Sequence, residues 1–257
     1  MNRRGVISSL ALLPWGSLPA RSQLAQPYKV TLLSNGKTDR MWAAGVLIEL
    51  DPDWKTYWRM PGDAGIPPQF DWTGSKNVEA VTVSYPIPGR FKDLGGEMIG
   101  YHDKVLFPLS IKPQNGNEAI ELNLNLFFAV CREICIPAST KASLPLQAAD
   151  QSGLVATWQA RVPQIVDLAS SPVISNAIIE MLDGRPSLML QLRRKVDDIF
   201  VETETSAYFT KPEFDGTGLN ARMPILNIKD LAKLRGASLK LTLAYDNVGI
   251  EQMIVVN

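Results

Sequence analysis

Most of this chain alternates apolar and polar residues, and a period of two belongs to half-buried β-strands rather than helices. From Ile120 to Val130 the apolar side chains fall on even numbers (Ile120, Leu122, Leu124, Leu126, Phe128, Val130), with Glu121, Asn123 and Asn125 between them. Val105, Phe107, Leu109 and Ile111 repeat the pattern, with Pro108 expected to mark a bulge or an edge. Trp42, Ala44, Val46, Ile48 and Leu50 predict a third strand, and Val81 to Tyr85 a fourth. Turns rich in Pro, Gly and Asp separate them, such as Pro61-Gly62-Asp63 and Pro86-Ile87-Pro88-Gly89. Short strands at this spacing predict an all-β chain built on an antiparallel β-sandwich.

The pattern changes from Gln151 to about Ser171. Leu154 to Ala160 predicts a short helix ended by Pro163, followed by a connector reaching Pro172. Strands resume at Ser187–Leu192, Ile199–Thr205 and Leu239–Tyr245, and Asp246 to Gly249 is expected to turn the chain into a closing strand, Ile250–Val256. Asn227 to Arg235 reads as a helix capped by Asn227 and stopped by Gly236. A length of 257 residues suits two small domains. The expected layout is a sandwich over 26–148, a linker with a short helix over 149–172, and a smaller β-rich domain with short helices over 173–257.

Residues 1–25 are set apart as a secretory signal peptide. Asn2-Arg3-Arg4 is a basic start, and GVISSLALLPWGSLPA (5–20) is an apolar run too short to span a bilayer. An uncleaved anchor is the alternative. Without Arg3, Arg4 and Arg21 the exported chain is mildly acidic, and no later segment is apolar enough to span a membrane. The whole chain balances 26 basic against 26 acidic residues, which removes the electrostatic case for nucleic-acid binding. A single His and two Cys cannot build a His-based zinc site.

Those two cysteines stand three residues apart, as Cys131 and Cys135. Cys131 falls on the odd phase of its strand, so it is expected to point away from the core, toward solvent or a covering loop. A disulfide closing a ring of about five residues stabilises by roughly 2 kcal/mol, against more than 4 for a loop of about 100, so it would be a poor staple. Three readings stay open on the cysteines alone: a local structural disulfide, a thiol:disulfide exchange pair, or a soft-metal site that holds Cu(I) when reduced. Arg132 would favour a neighbouring thiolate and Glu133 would oppose it.

Three segments taken together resemble a known family: WKTYWRMPGDAGIPP (54–68), IGYHDKVLFP (99–108) and VCREICIP (130–137). Their order, spacing and Cys context are similar to the N-terminal periplasmic domain of the DsbD protein-disulfide reductases, over about residues 27–148. The three-residue spacer favours the suppressor-of-copper-sensitivity, ScsB-like, branch. The resemblance implies an immunoglobulin-like sandwich and a periplasmic protein with no cofactor. Its Cys131 and Cys135 would take electrons from a membrane-embedded DsbD/CcdA-like donor and pass them to thioredoxin-like or disulfide isomerase-like proteins. It also implies a cap loop with an aromatic shield, matched here by PGRFKDLGG (88–96), with Phe91 as the shield and Tyr101 as its neighbour. The membrane and thioredoxin domains of full-length reductases have no counterpart in this sequence, so a separate membrane protein is expected to supply the electrons. The competing class is a non-enzymatic binding module, holding copper or assisting assembly of a membrane redox protein.

Other candidates carry less. Trp54, Tyr57 and Trp58 read as core or edge-strand aromatics rather than a ligand platform. His102 beside Asp103 is a candidate base for cysteine activation, outweighed by a solvated turn. The methionines are scattered. Arg193-Arg194-Lys195 and Asp197-Asp198 read as solvated charges at a turn.

Overall fold

The computed structural model describes residues 26–38, 40–62, 65–93, 96–146 and 152–256, so the leader predicted over 1–25 lies outside it. Ten strands make the first half: β1 (Tyr28–Thr38), β2 (Met41–Leu50), β3 (Lys55–Gly62), β4 (Gln69–Asp71), β5 (Val78–Val83), β6 (Gly89–Asp93), β7 (Gly96–His102), β8 (Lys104–Pro113), β9 (Glu121–Cys131) and β10 (Cys135–Pro145). They form two antiparallel sheets, ordered β1-β2-β8-β5 and β10-β9-β3-β7-β6, with β4 also paired to β9. Among the described residues no strand pairs with the outer edge of β10.

The even-numbered residues of the Ile120–Val130 run are buried as the alternation requires, and they meet Val46, Ile48, Val105 and Phe107 of the facing sheet. Phe107 packs edge-on against Phe70, Tyr85 and Tyr101 at ring separations of 5.3 to 5.6 Å. The predicted short helix is α1 (Ser152–Gln159), which buries Val155 and Trp158 on this same core.

The second half adds β11 (Gln164–Ile165), β12 (Ile174–Leu182), β13 (Arg185–Leu192), β14 (Asp198–Thr203), β15 (Glu213–Phe214), β16 (Asn220–Pro224), β17 (Ser238–Tyr245) and β18 (Val248–Val255). Their sheets are ordered β11-β18-β17-β14 and β12-β13-β16-β15, around a separate core that includes Leu188, Leu190, Leu241 and Leu243. Among the described residues no helix is long and apolar enough to cross a membrane.

Six local expectations need correction. Pro108 marks neither a bulge nor an outer edge, because β8 is an interior strand whose register with β2 runs unbroken through Gly45 and Pro108. Ser84 donates to the Pro108 carbonyl at 2.8 Å, and the proline has no N–H to return. The fourth predicted strand therefore stops at Val83 instead of Tyr85. The helix expected over Asn227–Arg235 is only a single 3-10 turn, Leu231–Lys233. Asn227 does not cap it, since its side chain accepts from Tyr208 N and donates to the Ser206 carbonyl; Asp230 caps instead, accepting from Ala232 N at 2.9 Å.

The closing turn uses only Asp246 and Asn247, at φ +50° and +61°, so Val248 and Gly249 already belong to β18. Paired positive φ values make the tight two-residue turn that matches strand twist. Asp198 is not a solvated charge; it is half-buried and accepts two hydrogen bonds from the Arg90 guanidinium.

Candidate functional site

The site grows from one hairpin. Cys131 is the last residue of β9 and Cys135 the first of β10, the two are direct register partners, and they are joined in a disulfide with Cα atoms 4.2 Å apart. The chain between them turns at Arg132–Ile134, where Arg132 N donates to Ile134 O at 3.3 Å.

The two sulfurs are not equivalent. Phe128 and Val130 point into the main core, while Ala129 and Cys131 lie on the opposite phase in a small separate cluster with Tyr57 and Met98. Cys131 thus faces away from the main core, as its odd number requires, and it is 3% exposed because Ile66 and Phe91 pack against that cluster. Cys135, one strand over, is exposed. Ile134, its chain neighbour in the turn, is 70% exposed.

Tyr57 is the residue that periodicity misses. It is buried, as the aromatic reading expects, but on the cysteine side of β3, with its hydroxyl 2.9 Å from Cys135 Sγ. A disulfide sulfur carries no hydrogen, so the phenol donates. One close approach seats the ring: Gly65, at φ +145°, runs so near that a Cβ there would stand 2.3 Å from Tyr57 Cε1. A side chain on Gly65 would push the phenol off the sulfur.

Register also places Lys55 opposite Cys131, and His102 opposite Lys55 on the far strand. Directly opposed residues project from the same face. Lys55 therefore projects from the same face as the buried sulfur, and a cation on that face favours a thiolate once the bond opens. His102 sits one strand further out, with Nδ1 2.6 Å from Asp103 Oδ2. The geometry gives it no contact as a base for either cysteine. Arg132 lies 5.7 Å over the Trp54 ring, and Trp58 is wholly buried against Phe200.

Of the two cap residues expected, the structure brings one to the pair. The stretch matching the cap loop is a hairpin, β6 and β7, rather than a loop. Phe91 on β6 lies over Gly89, meets the His102 ring edge-on at 5.6 Å, and packs on the Cys131 cluster. Tyr101 goes the other way. It pairs with Thr56, whose other partner Val130 faces the core, so the Tyr101 ring enters the core and its hydroxyl donates to the Pro86 carbonyl at 2.8 Å. Burial raises its hydroxyl well above the ordinary tyrosine range and keeps it neutral.

The arrangement suits nucleophilic attack on an exposed sulfur whose partner is sheltered. The reduced pair would supply two soft thiolate ligands, and among the described residues no cluster of three or more His, Cys, Asp or Glu is placed to hold a metal.

Residues 22–147 match the family model described as thiol:disulfide interchange protein DsbD, N-terminal. The crystal structure of the N-terminal periplasmic domain of ScsB from Proteus mirabilis superposes with a TM-score of 0.72 at 20% identity, covering 95% of this chain and 97% of that one. That likeness shows the fold, and the first sandwich has the immunoglobulin-like arrangement that the sequence resemblance implied. The reduced N-terminal domain of DsbD from Neisseria meningitidis matches at a TM-score of 0.29 and 15% identity, over 49% of this chain and 91% of that chain. No curated protein matches.

Proposed function

From the premise that residues 22–147 belong to the DsbD N-terminal family, as a thiol:disulfide interchange domain with its Cys pair, we propose a periplasmic electron carrier that works through Cys131 and Cys135. The observation that carries this reading is the asymmetry of the pair, an exposed Cys135 bonded to a buried Cys131. A thiolate of a reduced, membrane-embedded DsbD/CcdA-like donor attacks Cys135 Sγ. The disulfide breaks, Cys131 leaves as the thiolate, and a mixed disulfide joins the donor to Cys135. The donor's second thiolate then attacks its own sulfur in that bond and releases Cys135. Two electrons have moved, the donor is oxidised to a disulfide, and solvent supplies the protons of the dithiol.

In the second half-cycle Cys135 attacks the disulfide of a periplasmic thioredoxin-like or disulfide isomerase-like acceptor, and Cys131 resolves the mixed disulfide. Lys55, on the same face as Cys131, supports its departure as a thiolate in the first step. Ile134, exposed beside Cys135 in the turn, offers an apolar contact from which either partner can exclude water during exchange.

The test is partner trapping in periplasmic extract. Cys131→Ala keeps the accessible sulfur and removes the resolving one, so it should accumulate mixed disulfides that a thiol reductant releases. Cys135→Ala should trap at most a tenth or so as much, because the remaining sulfur is covered. Equal trapping by the two variants, or none by either, would overturn the reading.

A further inference from the structure

Tyr57, which bonds Cys135, and Phe91, which packs on the Cys131 cluster, each have a chain neighbour held by the second sandwich. On β6, Phe91 packs on the Cys131 cluster, while the preceding Arg90 points to β14. Its Nε reaches Asp198 Oδ2 at 2.8 Å, and its Nη2 reaches Asp198 Oδ1 and the Ile199 carbonyl, both at 3.1 Å. The same guanidinium bonds Glu97 on the other arm of the hairpin and lies 4.9 Å over the Phe200 ring.

On β3 the pattern recurs. Tyr57 meets Cys135, the next residue Trp58 packs on Phe200 at 5.5 Å, and Arg59 forms a bidentate pair with Glu202 at 2.9 and 2.7 Å and a further pair with Glu251. Alternation sends successive residues of a strand to opposite sides. Phe91 and Tyr57 thus face the disulfide while their neighbours Arg90 and Trp58 meet β14 on the opposite side, and Arg59, within the register shift that follows Tyr57, is clamped by β14 and β18.

We infer that the second sandwich is a positioning part of the exchange site, and that Asp198, acting through Arg90, holds the β6–β7 hairpin so that Phe91 stays over Cys131. Forked guanidinium–carboxylate pairs fix direction as well as distance, which a single lysine contact would not. Arg90 is largely buried, and without Asp198 its guanidinium would keep Glu97 within the hairpin but lose its forked tie to β14, which frees the hairpin to move. Asp198 touches neither sulfur; it is a positioning residue. The inference takes its purpose from the exchange reading, since a covered Cys131 is what directs partners to Cys135.

Iodoacetamide alkylation of reduced single-cysteine proteins tests it. In the Cys135→Ser background, Asp198→Ala is expected to raise the rate at Cys131 by about three-fold or more, and Arg90→Gln by a similar factor, through more frequent opening of the cover. In the Cys131→Ser background the rate at Cys135 should stay within about two-fold, because that sulfur is already exposed. Asp198→Asn, which removes the charge and keeps the shape, gives the same comparison if the alanine variant does not fold.

A Cys131 rate that rises less than about three-fold in these variants would overturn the inference. So would a parallel rise at both cysteines, the mark of general loosening. The alkylation ratio reads the cover directly, so failed partner trapping by the parent protein would refute the exchange function and leave this comparison standing.

Discussion

A phenol hydrogen-bonded to a disulfide sulfur contributes little, but the same donor facing a thiolate makes a charge-assisted bond of about 1.5–3 kcal/mol. Tyr57 is placed to make that change when Cys135 is reduced. Losing the donor disfavours the charged form, so Tyr57→Phe should move the pH profile of Cys135 alkylation to higher pH and slow the reaction about ten-fold at pH 7, a factor equal to about 1.4 kcal/mol. The measurement is the iodoacetamide rate against pH in a Cys131→Ser background; a superimposable profile would show that the contact does not act on the reduced sulfur. Single residues were unevenly legible in the sequence. The phase of Cys131 followed from counting along one strand, but Tyr57 and Lys55 act across strands, and their placement depends on the register of β3 with β9 and on the irregularity in β3 between Tyr57 and Gly62. The orientation of Tyr101 was hidden for the same reason: proximity in sequence to the cap said nothing about which side of β7 its ring occupies.

Two adjacent strands, β9 and β10, already hold Cys131 and Cys135 in register, so the covalent bond adds only a short ring to a hairpin that exists without it. The loop-closure estimate of roughly 2 kcal/mol corresponds to a fall in Tm of about 4–8 °C for a chain of this size. Thermal unfolding of oxidised and dithiothreitol-reduced protein should differ by about that amount; a loss beyond about 15 °C would mark a structural disulfide instead. At this scale the sequence was most informative where alternation ran long, as in β2, β8 and β9. It was least informative where side chains had competing tasks. Asn227 looked like a helix cap because its own backbone neighbourhood allowed it, but its amide is committed to Ser206 and Tyr208, and Gly236 donates to Val256 at 2.7 Å, turning the chain toward β17 after one turn.

Phe200 belongs by chain to the second sandwich and by packing to the first core, where it lies between Trp58 and the Arg90 guanidinium. Gly249 shows the same intimacy, since a Cβ there would stand 2.5 Å from Ile87 Cδ1 of the first half. Phe200→Ala should therefore cost about 3–5 kcal/mol, read as a lower urea midpoint, and the loss should register in tryptophan fluorescence from the first half, where Trp58 resides. A midpoint unchanged by that substitution would mean the two halves do not share stability. None of these contacts was visible in the sequence, because alternation tells which side of a strand a residue takes and not what will be brought against it. The balance of charge likewise concealed that Arg59, Arg90, Asp198, Glu202 and Glu251 are spent inside the molecule. The outer edge of β10, unpaired among the described residues, bears on how copies of this protein treat one another. An open strand beside exposed Ile134 and Ile136 is a template for cross-molecule sheet growth, which a thiol:disulfide interchange domain must resist. Pro137 and Pro145 remove two donors from that strand and the exposed Lys141 adds a charge between them, so the edge can be met briefly near its sulfur but not zipped along its length.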